Sequence, residues 1–335
     1  MSRSATGPPG QLDLFGVAPP APTRGVGAAE VPDDVAALAA RLPRAIRLGT
    51  SSWSFPGWAG IVYDRAASTA TLARRGLAAY ARHPLLRTVG IDRTYYAPIT
   101  AEDFAAYAAA VPDDFRFLVK APEALTTARF PDHPRYGEQR GAVSAAFLDP
   151  GWAADAICAP LAGGLGDKAG VLVFQFPPQP LALLGGAPRF AARLRAFLAA
   201  LPRGLTYAVE VRAEALFTTD YLAALAETGA CHVVNVHPSM PPPAAQAARL
   251  DPASAPAVVV RWMLGHGQRY EEARERYLPF DRLVDEDPDH RAQLAALCRG
   301  AAARGRDTYV VINNKAEGSA PLSAIRLAAA IVAGE

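Results

Sequence analysis

Short runs of apolar, β-favouring residues recur along the chain at 46–53, 88–96, 115–122, 170–176, 206–212, 231–237, 257–264 and 307–314, each bounded by Gly, Pro or polar residues. Runs of this length and composition read as strands. Most of the gaps between them carry a helical pattern. Residues 68–82 place Leu72, Leu77 and Tyr80 on one face, and Thr100 with Asp103 forms a capping box ahead of Phe104, Tyr107 and Val111. Asp149 and Pro150 supply an N-cap and first position for a helix through Ile157. Further helices are expected at 33–42, 190–201, 219–228, 288–304 and 320–333, whereas 238–256, rich in Pro and Ala, reads as a loop with at most one helical turn. Eight strands alternating with helices predict an α/β fold, a single (β/α)8 TIM-type barrel over residues 33–335. The rival, an open doubly wound sheet, normally has a glycine-rich phosphate turn after its first strand. Here that turn reads Gly49-Thr50-Ser51-Ser52-Trp53-Ser54, without G-x-G-x-x-G. Residues 123–148 and 266–287 are then loops over the barrel mouth.

Composition adds a second region. Residues 1–32 are rich in Gly, Pro, Ala and Thr with few large apolar side chains, so this stretch is expected to be a disordered tail. One island interrupts it: Gln11-Leu12-Asp13-Leu14-Phe15 resembles the pentapeptide by which bacterial proteins dock on the DNA polymerase sliding clamp, with Gln11, Leu12, Leu14 and Phe15 as the anchors. The plain alternative is a staple that packs the tail onto its own domain. The net charge of +2 advertises no non-specific wrapping of nucleic acid, although a local basic patch stays open. Only three of the 34 basic residues are lysine (Lys120, Lys168 and Lys315), which looks like coding bias. Cys158, Cys231 and Cys298 show no disulfide or zinc spacing, which fits a reduced, cytoplasmic chain. Neither a signal-peptide pattern nor an 18-residue apolar run is present, so no membrane span is expected.

Several segments together resemble the domain of unknown function 72 (YecE-like) family: 49–54 with Trp58 and Tyr63, Phe115-x-Phe-x-Val-Lys120, Phe174-Gln175-Phe176-Pro177-Pro178, Val209-Glu210-Val211-Arg212, and Asn313-Asn314 followed by Gly318-x-Ala320. The matches run in order from about 46 to 330. The resemblance implies a TIM-type barrel and supplies no reaction. Two departures stand out: family members often carry Glu and Asn in strand two, where this chain has Gly90 and Asp92, and many carry a Thr-His pair after the strand-three lysine, where Thr126-Thr127-Ala128 stands here.

In such a barrel the strand C-termini and the loops after them form the site. Glu210 and Arg212 lie two apart on strand five, so they point to the same side. Glu210 reads either as a general base or metal ligand, or as half of a structural pair with Arg212. Lys120 could form a Schiff base, hold an anionic group, or pair with Asp92 or Glu210. His237 suits acid-base work, and with Asp92 and Glu210 it could hold a divalent metal, although no H-x-x-H spacing supports that. Arg212, Trp53, Tyr96, Gln175, Arg261, Asn313 and Asn314 are the expected substrate-binding residues. Asn235 and Ser52 sit at equivalent strand ends, and His266 follows Arg261. Residues 315–319 could form a phosphate nest before the last helix. Trp53, Trp58, Tyr63, Tyr95 and Tyr96 offer stacking surfaces, some of which belong to the core. Three functions fit: an enzyme acting on a phosphorylated or nucleic-acid-derived substrate and recruited by the clamp, a small-molecule sugar or phosphate hydrolase, isomerase or lyase, and a non-catalytic ligand-binding barrel.

Overall fold

Eight parallel strands pair in sequence order and close on themselves: β1 (Ile46–Thr50), β2 (Leu86–Ile91), β3 (Arg116–Lys120), β4 (Ala169–Phe176), β5 (Tyr207–Val211), β6 (Cys231–Val236), β7 (Ala257–Trp262) and β8 (Asp307–Ile312). The seam is β1 against β8, in register from Ile46↔Thr308 to Thr50↔Ile312. This is a computed structural model that describes residues 25–251, 253–265 and 268–334. Gln11 to Phe15 and His266 therefore lie outside the described residues.

Period-two alternation sends the two faces of each strand to different places. Leu118, Val171, Val173, Ala208, Val233, Val259 and Val311 form one apolar cluster, the filling of the barrel. Their neighbours Leu48, Val89, Phe117, Leu172, Phe174, Val209, Val234, Val260 and Val310 join the larger cluster beneath the helices. Apolar residues on both faces explain why the strands read as near-continuous hydrophobic runs. Each fully buried Val or Leu contributes about 1.5–3 kcal/mol. Near the floor, Arg47 pairs with Asp307 at 2.9 Å and lies over the Tyr309 ring.

Glycine sets the spacing of the first two strands. A Cβ on Gly49 would lie 1.9 Å from the Thr88 carbonyl oxygen, and one on Gly90 would lie 2.8 Å from that of Ser51. The register between β1 and β2 shifts at Leu48/Gly49.

Several boundaries differ from the sequence reading. Strand two stops at Ile91, and Arg93–Tyr96 is helical, because the Thr94 hydroxyl donates to the carbonyls of Ile91 (3.0 Å) and Lys120 (2.6 Å) and turns the chain. The helix expected over 68–82 divides at Gly76 into Thr69–Arg75 and Leu77–Tyr80. The helix opened by Asp149 runs past Ile157 to Leu165, through a wide turn at Ala154–Cys158. The supposed loop 266–287 contains a helix, Tyr270–Tyr277. Residues 25–32, assigned to the tail, lie along the 62–64 segment: the Ala29 amide donates to the Val62 carbonyl and the Gly27 amide to Asp64, both at 3.0 Å.

After β6 the chain makes only the five-residue helix Pro243–Ala247, as its Pro and Ala content suggests. No long helix fills the sixth place in the outer ring. A cavity of about 650 Å³ results, lined by Leu222 and Leu225 of Thr219–Thr228, Leu297 of Pro288–Ala302, and His232, Val234 and Val258 of the barrel wall. No helix among the described residues is long and apolar enough to cross a membrane.

Candidate functional site

Above the apolar filling the inward positions turn polar. Strand register sets Gln175 beside Glu210 and Asn235 beside Arg261. The β5–β6 ladder pairs only Ala208↔Cys231 and Val209↔His232. Beyond it, side chains span the gap: Asn235 Nδ2 donates to the Val211 carbonyl at 3.0 Å, and Ser239 Oγ donates to the Arg212 carbonyl at 2.8 Å. These two bonds fix the backbone that carries Arg212.

Glu210 is fully buried, and both of its oxygens are taken. Arg212 Nε donates to Oε1 at 2.7 Å and Arg261 Nη1 donates to Oε2. Burial acts to raise the carboxyl pKa, but the guanidinium groups of Arg212 and Arg261 outweigh it and hold the group well below the usual carboxylate range. Glu210 is therefore a permanently ionised anchor for two arginines. A carboxylate so held is a weak base. Among the described residues, no three His, Cys, Asp or Glu side chains come together as a metal-binding group. The Asp92, Glu210 and His237 set is therefore not assembled as ligands.

The remaining charges surround this anchor. Arg261, 1% exposed, also approaches Asp92, with Nη2 3.9 Å from Oδ1. The Arg212 side chain is 18% exposed, and beyond its Nε bond its two terminal amino groups make no hydrogen bond among the described residues. Lys120 ends β3 with Nζ 3.4 Å from the centroid of the Tyr95 ring, and it forms no ion pair or side-chain hydrogen bond among the described residues. Burial, foremost, with Arg261 and Arg212 adding to it against Asp92 and Glu210, lowers the ammonium pKa to about 7. Tyr95 is itself hydrogen-bonded to Glu123; burial and that carboxylate push its phenol pKa up.

At the rim, His237 Nδ1 bonds the Ser239 hydroxyl at 2.7 Å. Burial and then Arg212 lower its pKa to about 4, so the imidazole is neutral at pH 7. Lys315 Nζ lies 4.1 Å from the Tyr270 ring centroid, and burial followed by Arg274 lowers its pKa to about 8.

The structure thus brings together Glu210, Arg212, Arg261, Asp92, Lys120, Gln175 and Asn235, with His237 and Lys315 close by. Other expected residues lie elsewhere. Trp53 is buried toward the helices, with Nε1 donating to the Leu72 carbonyl at 3.1 Å and its ring edge-on to Tyr107. Trp58 and Tyr63 are fully buried. Tyr96 is 73% exposed on the helical turn after β2, packed edge-on against Tyr95. Asn314 Oδ1 accepts from Trp58 Nε1 (3.3 Å) and from the Ala320 amide (2.8 Å), a tie between the β1 loop and the last helix, Ala320–Val332. Asn313 Oδ1 accepts from the Lys315 amide at 3.0 Å. The amides of Ala316 and Gly318 bond back to the carbonyls of Asn313 and Asn314, so the 315–319 nest is closed by its own chain. Glu123 and Tyr270 entered through segments read as loops. The charge spacing of Glu271 and Arg274 was the available sign of the Tyr270–Tyr277 helix.

A family model described as "Protein of unknown function DUF72" matches residues 47–334. A DUF72 family protein from Enterococcus faecalis V583 is similar at 19% identity, covering 85% of this chain and 95% of that one, with a TM-score of 0.58. Another from Thermotoga maritima MSB8 is similar at 20% identity over 84% and 97%, with a TM-score of 0.56. At these identities the likeness speaks to the fold. No curated protein matches the chain.

Proposed function

The chain belongs to the DUF72 family, and from its barrel mouth we propose an enzyme acting on an anionic substrate, either phosphorylated or derived from nucleic acid. The observation that carries this reading is the open fork of Arg212. Its Nε is spent on Glu210 and its backbone is tied by Ser239, while its terminal amino groups make no hydrogen bond among the described residues and its charge acts on Lys120. A guanidinium so fixed is suited to two parallel hydrogen bonds with a phosphate or carboxylate. Lys120 and Asp92 supply groups able to exchange a proton next to the bound anion. Arg261 serves as a fixed countercharge for Glu210 and Asp92.

The test is binding of inorganic phosphate to the full chain by calorimetry, followed by phosphorus NMR of phosphorylated sugars and nucleotides incubated with it. Arg212→Gln should weaken phosphate binding at least about tenfold, the size of one charge-assisted bond. A wild type that binds no phosphate overturns the anionic substrate. Binding without product over hours favours a ligand-binding barrel.

Gln11, Leu12, Leu14 and Phe15 would recruit the enzyme to DNA through the sliding clamp, raising its local concentration without a strongly basic surface. A labelled peptide of residues 5–20 should show rising fluorescence anisotropy with a bacterial clamp and lose that rise when Leu14 and Phe15 are replaced by Ala. No rise for the unaltered peptide removes the recruitment.

A further inference from the structure

We propose that Lys120 is a nucleophile that forms a Schiff base with the carbonyl carbon of a phosphorylated aldehyde. This rests on the anionic-substrate reading above and names the reacting group within it.

The three lysines of the chain are placed very differently. Lys168 lies outside the barrel, its Nζ donating to the carbonyls of Ala108 (2.9 Å) and Val111 (2.8 Å) and 3.3 Å from Asp113. Lys315 lies at the rim against Tyr270. Of the three, Lys120 leaves the end of a barrel strand toward the mouth with its nitrogen on an aromatic face and no acceptor holding it among the described residues. A lysine that merely anchors phosphate works best when kept protonated, and a carboxylate in contact does that. Here the deepest carboxylate, Glu210, is occupied at both oxygens by Arg212 and Arg261. No carboxylate forms an ion pair with Lys120 among the described residues, and although Asp92 and Glu210 act on it from farther off, burial together with Arg261 and Arg212 favours the neutral amine. The shift of its pKa to about 7 agrees with that geometry.

Asp92 completes the chemistry. Its side chain is 38% exposed, Arg261 approaches it at 3.9 Å, and its charge also acts on Lys120. The neutral amine attacks the aldehyde carbon, the C–N bond forms as the carbonyl π bond breaks, and the first proton lost by nitrogen passes to the carbonyl oxygen to give a neutral carbinolamine. Asp92 carries the second proton lost by nitrogen to the hydroxyl, which leaves as water, and the C=N bond forms. Aldehyde and amine give imine and water, with no oxidant or reductant required. The Arg212 fork holds the phosphate.

Glyceraldehyde 3-phosphate is the probe. The full chain is incubated with it at pH 7, sodium borohydride is added, and the adduct is located by peptide mass mapping, which three lysines make unambiguous. One reduced adduct is expected on Lys120, at least about tenfold more abundant than on Lys168 or Lys315. Inorganic phosphate should suppress it, and folded Lys120→Arg should abolish it. Trapping spread over the other lysines, or unchanged in Lys120→Arg, overturns the proposal. Phosphate binding without trapping at Lys120 removes the nucleophile and leaves the anionic-substrate reading standing. Trapping at Lys120 that phosphate neither binds against nor suppresses sinks that earlier reading instead.

Discussion

Charged and titratable residues in this chain are governed more by who surrounds them than by their own type. Glu210 and Arg212 were legible as a pair because residues two apart on a strand share a side. The second grip on Glu210 comes from Arg261, 51 residues away, and no local pattern reports it. Asn314 has a use that no local pattern reports: its side-chain carbonyl oxygen accepts from Trp58 and the Ala320 amide, while its Nδ2 makes no hydrogen bond among the described residues. The same surroundings set the response to acid. Burial lowers the pKa of His83 and of His232 to about 4. Both nitrogens of His232 are bonded, to Tyr221 and Gln246, with no charged partner. The unfolded chain protonates these rings near their ordinary value of about 6.5 while the folded one does not. Stability is therefore full above that value and is lost as pH falls from about 6.5 toward about 4, at up to about 1.4 kcal/mol per pH unit for each ring. Glu210 acts in a lower window: its folded pKa is depressed, so its contribution is present above the unfolded carboxylate value of about 4.3 and declines below it. Urea unfolding at pH 7 and pH 5 should show a lower midpoint at pH 5. A midpoint unchanged between them would contradict the buried neutral histidines.

Strands and helices were mostly legible from periodicity, and their ends were not. An end is decided by single contacts, as when Thr94 bonds back to Ile91 and Lys120 and converts the expected tail of strand two into a helical turn. That turn is what sets Tyr95 under the Lys120 ammonium. The pairing of β1 with β2 depends on two missing side chains. Where family members often carry Glu in strand two, Gly90 here faces the Ser51 carbonyl too closely for any side chain without movement of one strand. Gly49 is tighter still, since its Cβ would meet a backbone oxygen at 1.9 Å. Gly49→Ala should lower unfolding stability by about 3 kcal/mol or prevent folding, because the obstacle is backbone that cannot rotate away. Thermal unfolding checks this, and an unchanged midpoint would show that β1 and β2 separate freely.

At the level of the whole molecule, the alternation of eight strands with helices was enough to read a closed barrel, and the structure agrees in strand order and closure. The reaction was not readable in the same way, because a barrel hosts many chemistries and the site is assembled from side chains far apart in sequence. The arrangement of charge at the mouth has a further consequence. Arg212, Arg261 and Lys315, joined by Lys120 when it is protonated, stand close to Asp92 and Glu210 there. These groups give the barrel mouth a positive local field. An approaching anion is drawn toward the mouth. With a screening length of about 8 Å at physiological salt, the pull is felt only at the threshold, after diffusion has delivered the ligand to the rim.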